Sequence, residues 1–183
     1  IRKACEVMQK GGVILYPTDT IWGIGCDATN AEAVKRVYEI KKRSDSKAML
    51  VLVDNAVKVD FYVDGAPEVA FDLIELTNKP LTIIYDGAKN LAPNLIAEDG
   101  SVGIRVTSEE FSNQLCYRFR KAIVSTSANV SGEPSPATFG EISDEIKQAV
   151  DYIVQSRQQE NKASQSSSII KLGKGGQVKV IRE

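Results

Sequence analysis

The side chains able to do chemistry sit in short runs where apolar stretches end. The first run is PTDTIWGIG, residues 17–25, after the apolar VILY of residues 13–16. Pro17 fixes φ, and Thr18, Asp19 and Thr20 can bond back to the backbone, so a structural turn is the plain reading. The run lacks the GxxxxGK[ST] spacing of a Walker loop and the GxGxxG of a dinucleotide fold. A phosphate cradle is therefore the weaker functional option. Two threonines with Trp22 at a strand end suit a small polar ligand better. Gly23 and Gly25 are expected to let the backbone turn closely around such a pocket.

The second run is IKKRSDSK, residues 40–47. Cations at a helix end complement the macrodipole, which is the ordinary explanation of such a cluster. Lys41, Arg43 and Lys47 nevertheless precede an apolar strand, and three cations at one strand mouth can hold a triphosphate. Arg105, in the strand SVGIRV (residues 101–106), must leave the core or find an anion. Glu109 is one partner; a substrate carboxylate or phosphate is another. In VSTSANVSGEPSP, residues 124–136, turn chemistry accounts for Gly132 and Pro134 but not for the hydroxyls and amide before them. Such groups can cover phosphate oxygens, ribose hydroxyls or an adenine edge. SSSII, carrying Ser167, reads as a Ser-rich loop entering a strand, and Arg182 as a terminal solvated charge.

The chain has 183 residues and no histidine. Ser-His-Asp and Cys-His catalysis and His-ligated metals are thereby excluded. Cys5, Cys26 and Cys116 are widely spaced and form no CxxC pair, so a zinc site or disulfide framework is not expected and a reducing cytoplasm is the simplest home. No protein side-chain metal site is expected. A net charge of −1 implies no general polyanion-binding surface, though a local basic patch is compatible with it. No apolar run approaches a membrane span.

Hydrophobic residues make up 43% of the chain, enough for a single α/β domain over residues 1–183 with a mixed, twisted sheet. Residues 1–10 have helical spacing, ended by Gly11-Gly12. A helix over 29–43 is expected to open with a Thr29–Glu32 capping box. Further helices are expected over 66–78, with Pro67 in the first turn, over 108–119, opened by Ser108, and over 139–149. Strands are expected at 13–16, 48–53, 81–85, 101–106, 122–126 and 151–155. A closing hairpin follows from SIIKL, GKGG and VKVIR. The polar segment 157–167 permits a mobile lid.

Taken in order, YPTDTIWGIGCDA, KKR…K, GIRV, STSANVSGEPSP, SSSII and VKVIRE resemble the Sua5/YrdC/YciO family along nearly the whole chain. PTDT and SxSANxSG are the most diagnostic. The resemblance implies an open α/β sheet, with parallel and antiparallel strands and flanking helices, around a deep, positively lined cavity. It also implies a nucleotidyltransferase activity. L-threonine, bicarbonate or CO2 and ATP would give threonylcarbamoyl-AMP and pyrophosphate, with Mg2+ on the ATP. Partner proteins would pass the threonylcarbamoyl group to tRNA adenosine 37. A YciO-like paralogue that mainly binds RNA or nucleotide is the alternative, with tRNA or double-stranded RNA as its partner.

By motif, the resemblance assigns Thr20, Arg105, Ser127 and Ser167 to threonine. It assigns Lys41, Arg43, Lys47, Ser101, Asn129, Ser135 and Arg182 to ATP, with Lys41 and Arg43 also catalytic. Asp19 is a further candidate as a general base. Carbamate, carboxylate and triphosphate are all anions, so cations would bring them together against repulsion. Several positions depart from the family pattern. Trp22 stands where Tyr is common, Leu52 where some relatives have His, and Thr107 where Pro is common. Ser44 and Ala48 replace residues that usually follow K-x-R, and Ser166 and Ser168 flank Ser167 in place of Glu and Thr.

Overall fold

The computed structural model describes residues 1–43, 49–161 and 165–183. Helix α1 (Arg2–Gln9) turns Ala4, Cys5 and Met8 inward, as their spacing requires. Strand β1 (Ile14–Tyr16) is buried throughout. Strand β2 (Gly23–Gly25) then pairs antiparallel with β1, Tyr16 opposite Gly23 and Ile14 opposite Gly25. Residues 17–22 are thus a hairpin connection, and the two glycines lie in a strand instead of forming a turn.

Their lack of side chains has a packing cause. The Tyr16 ring crosses over β2 so that its hydroxyl donates to the Val124 carbonyl at 2.9 Å. A Cβ on Gly25 would lie 2.5 Å from Tyr16 Cε1 and 2.7 Å from the Val124 carbonyl oxygen. Sequence patterning cannot show this, because Gly-Ile-Gly has neither strand propensity nor a periodic signal.

Helix α2 (Ala31–Lys41) is capped by Asn30, whose side chain accepts from the Ala33 amide. The expected Thr29 cap is not made; the Thr29 amide and hydroxyl both donate to Asp27 Oδ1. The helix ends at Lys42, which is left-handed with φ 54°. Strand β3 (Leu50–Val53) leads to a 3-10 turn at Ala56–Lys58 and the one-turn helix α3 (Val59–Tyr62), neither of them expected from the sequence. Helix α4 (Glu68–Leu76) starts after Pro67.

Strands β4 (Leu81–Tyr85) and β5 (Val102–Val106) match their apolar runs. Helix α5 (Glu110–Phe119) is capped by Glu109 in place of Ser108. The Glu109 carboxylate accepts from the Phe111 and Ser112 amides. Strand β6 (Ile123–Ser127) is followed by a 3-10 turn at Phe139–Glu141 and helix α6 (Asp144–Ala149), capped by Ser143. The helix expected from residue 139 is therefore split in two. Strands β7 (Tyr152–Ile153), β8 (Ser168–Leu172) and β9 (Val178–Arg182) complete the chain, the last two as the expected hairpin.

The strands join in the order β7-β1-β2-β6-β3-β5-β4-β8-β9. The β1/β7, β3/β5 and β4/β8 pairs are parallel and the others antiparallel, so the sheet is mixed, as expected. Helices α1 and α5 pack together, and α5 packs on β3. Among the described residues, no helix is long and apolar enough to cross a membrane.

Gly25→Ala should lower the unfolding free energy by about 1–3 kcal/mol, the usual scale of overpacking. Gly140→Ala, with open space around its Cβ, is the control. Urea titrations that show equal midpoints for the two variants would contradict the packing account of β2.

Candidate active site

A cavity of about 420 Å³ opens where β4, β5, β6 and β8 present their polar ends. Arg105 stands within β5, opposite Thr82 of β4, and only 2% of it is exposed. A guanidinium so far from water needs an anion. Asp19, from the hairpin connection, supplies it: Nε donates to both carboxylate oxygens at 3.0 and 3.2 Å, and Nη2 lies 2.9 Å from Oδ1. Both Asp19 oxygens thus accept from Arg105, and Asp19 orients the guanidinium. Nη2 also donates to Thr20 Oγ1 at 3.2 Å. Nη1 makes a long contact, 3.5 Å, to Ser167 Oγ.

The remaining wall combines hydroxyls and two further arginines with apolar side chains, among them Ile21, Met49, Leu50 and Ile169. Ser167 is buried, with its Oγ 2.7 Å from Thr82 Oγ1. Its carbonyl accepts from Arg182 Nε at 2.8 Å, which brings the end of β9 onto the cavity. Partial burial pulls the Arg182 pKa down, and nearby Arg105 adds to the effect. Arg43 lines the same cavity, and burial lowers its pKa too. Ser101 is oriented by Asp99, whose Oδ1 accepts from the Ser101 hydroxyl at 2.6 Å and from its amide at 3.0 Å. Those bonds, with Lys171 added, hold the Asp99 carboxyl at about 2. Among the described residues that line the cavity there is no carboxylate.

Thr20, Arg43, Ser101, Arg105, Ser127, Ser135, Ser167 and Arg182 all line this cavity, although they are spread over most of the sequence. Lys41 and Asn129 do not. Lys41 is 3% exposed, and its ammonium donates to the Ser127 carbonyl at 2.7 Å, the Asn129 carbonyl at 3.0 Å and Ser127 Oγ at 3.3 Å. It ties the end of α2 to the turn after β6. Asn129 Nδ2 donates to the Val130 and Glu133 carbonyls, while its buried Oδ1 has no partner among the described residues. Lys47 lies outside the described residues. Trp22, expected near the pocket, packs at 4.7 Å on the Phe139 ring and lines no part of the cavity.

Sequence reading missed Thr82 and Asp99. A threonine inside LTIIY is a polar residue in an otherwise apolar strand and could have drawn attention. Asp99 two residues before Ser101 is a recognisable turn pairing.

A sequence model of the Sua5/yciO/yrdC family, described as telomere recombination, matches residues 6–183. The threonylcarbamoyl-AMP synthase of Pseudoalteromonas translucida (strain TAC 125) is 32% identical over 157 residues, covering 84% of each chain. The crystal structure of E. coli YciO superposes with a TM-score of 0.84 at 26% identity, over 99% of this chain and 87% of that one. P. abyssi Sua5 complexed with L-threonine superposes with a TM-score of 0.83 at 23% identity, a likeness of fold. It covers 93% of this chain and 50% of that one, so the chain spans half the length of that Sua5.

Burial, with repulsion from Arg43 added, lowers the Lys41 pKa from 10.5 to about 8. Between those values the unfolded chain holds a proton at this site that the folded chain has released. Stability therefore rises with pH across the window. Relative to Lys41→Met, the unfolding free energy of the wild type should climb from pH 8 to 10 by up to about 1.4 kcal/mol per unit. A difference that stays flat over that range would show that the ammonium is not desolvated.

Proposed function

The chain belongs to the Sua5/YciO/YrdC family, and from that premise we propose that it is an L-threonylcarbamoyl-AMP synthase. The reaction joins L-threonine, bicarbonate or CO2 and ATP into threonylcarbamoyl-AMP and releases pyrophosphate. The observation that carries this reading is the cavity itself. Three arginines and a set of hydroxyls face one space, and Asp19, the carboxylate paired to Arg105, is not among the described residues that line it.

In this reading Arg105 takes the threonine carboxylate. Its Nε and Nη2 are committed to Asp19 and Thr20, while Nη1 has only the long Ser167 contact and so has donors to offer. Thr20, Ser127 and Ser167 surround the rest of the amino acid. The threonine amine, once deprotonated, adds to CO2, losing a proton and forming a carbamate. A carbamate oxygen then attacks the α-phosphorus, and the bond to the β-phosphate oxygen breaks. Arg43 and Arg182, with Lys47, counter the phosphate charge, and Ser101 and Ser135 meet nucleotide oxygens. Lys41 acts one step back, by holding the Ser127–Asn129 turn. Asn129, off the cavity lining, would serve the nucleotide indirectly, by bracing the same turn through its bonds to the Val130 and Glu133 carbonyls.

Among the described residues, no three His, Cys, Asp or Glu side chains are grouped as a metal cage would need. Mg2+ is proposed on the ATP phosphates, where it would neutralise the leaving group. The product would pass to tRNA-modifying partner proteins for transfer to tRNA adenosine 37, in the cytoplasm.

One observation favours a second reading. E. coli YciO matches the chain nearly end to end, which supports a YciO-like chain, and the second reading takes such a paralogue to bind mainly nucleotide or RNA. The two readings separate in one assay with ATP, Mg2+, bicarbonate and L-threonine. The synthase should release pyrophosphate only when threonine is present. L-Serine, lacking one methyl, should be poorer by about 10–200-fold in kcat/KM. Nucleotide binding with no threonine-dependent release would sink the synthase reading in favour of the binding module.

A further inference from the structure

Arg157 has no part in the machinery described above, yet its side chain spans a structural gap. Behind the Thr18–Thr20 turn lies a second cavity of about 360 Å³, walled by Thr18, Asp19, Thr20, Glu109 and Arg157 among others. Thr20 lines both this cavity and the larger one. The turn that carries Thr20 and Asp19 is therefore a thin wall between two spaces, without the packed backing that fixes most buried loops.

We propose that Arg157 is a positioning residue that braces this wall and so sets the amino-acid end of the active cavity, an inference that rests on the reading of that end as the threonine subsite. One nitrogen, Nη1, donates to the Thr18 carbonyl at 3.1 Å and to Glu109 Oε1 at 2.7 Å. Glu109 is itself immobilised as the cap of α5, accepting from the Phe111 amide and from the Ser112 amide and hydroxyl. At its other edge, Arg157 Nε donates to both oxygens of Glu160 at 3.0 and 2.8 Å. The guanidinium thus links a helix terminus to the turn.

From Thr18 the restraint reaches the reacting end in two steps. Thr18 Oγ1 accepts from the Thr20 amide at 3.0 Å and lies 3.1 Å from Thr20 Oγ1. Thr20 Oγ1 in turn accepts from Arg105 Nη2. The backbone of Arg157 adds an independent indication. Its φ is +62°, in the left-handed region where glycine is the ordinary residue. A long side chain held there against conformational preference implies that its contacts determine the position.

Arg157→Gly removes the brace and suits that backbone; Arg157→Lys restores a cation. In the glycine variant KM for L-threonine should rise about tenfold or more, the scale of one lost charge-assisted hydrogen bond, while KM for ATP stays within about twofold. The lysine variant should recover part of the threonine KM. Unchanged KM values, or equal rises for both substrates, would overturn the proposal. Exchange of the Thr20 amide, followed by mass spectrometry or NMR, provides a readout that needs no turnover. If the wild type shows no threonine-dependent pyrophosphate release, the functional reading fails, and exchange alone decides the brace. About tenfold faster exchange in Arg157→Gly supports it, and exchange equal to wild type overturns it.

Discussion

A guanidinium taken out of water needs an anion within reach, and Arg105 meets that need with Asp19. Much of the site follows from this pair. Asp19 can reach the middle of β5 only if the chain after β1 folds back over the sheet. The hairpin β1–β2 is the local solution, and residues 17–22 are its connection. Once Asp19 is in place, Thr20 falls beside Nη2, and Ser167 at the start of β8 comes beside Nη1. An unpaired arginine here would be costly, and so would an unpaired aspartate. The pair therefore fixes the hairpin connection and the guanidinium together.

The hairpin has its own condition. Tyr16 is buried and must pair its hydroxyl, which it does by crossing β2 to the Val124 carbonyl. That crossing leaves no room for a side chain at Gly25. The glycines that look, in sequence, like a ligand loop are thus a consequence of an aromatic ring behind the pocket. They support the function indirectly, by letting β2 lie close enough to β6 for Ser127 to pair opposite Gly23.

Legibility in the sequence followed the strength of the physical signal. The apolar runs at 81–85 and 101–106 were readable as strands because nothing competes with burial there. The helix bodies were readable too, but their caps were not. Thr29 and Asn30, or Ser108 and Glu109, are neighbouring residues that can each cap, and only the folded geometry chooses between them. Motif order gathered most of the cavity's lining correctly, from Thr20 to Arg182. It could not tell which way Lys41 would point. A lysine at the end of a helix beside an arginine reads as a phosphate contact, and here its donors are spent on two carbonyls and a hydroxyl. Arg157 carried no pattern at all, since its role depends on cavities on either side of a turn about 140 positions away in sequence.

The cavity also sets stability against function. Arg43 and Arg182 are each partly desolvated, and Arg182 feels the Arg105 charge. Asp19 neutralises Arg105 and is not itself among the described residues that line the cavity. The hydroxyls that line the cavity, such as Thr20, Ser127 and Ser167, can donate to an anion without supplying a competing negative charge. A carboxylate among them would stabilise the empty cavity and weaken anion binding. Asp99 shows how an acid can be used without that penalty: its oxygens orient Ser101 and meet Lys171 while the carboxylate stays off the cavity lining. In the proposed function, keeping acids off the lining would favour anionic ligands over neutral ones.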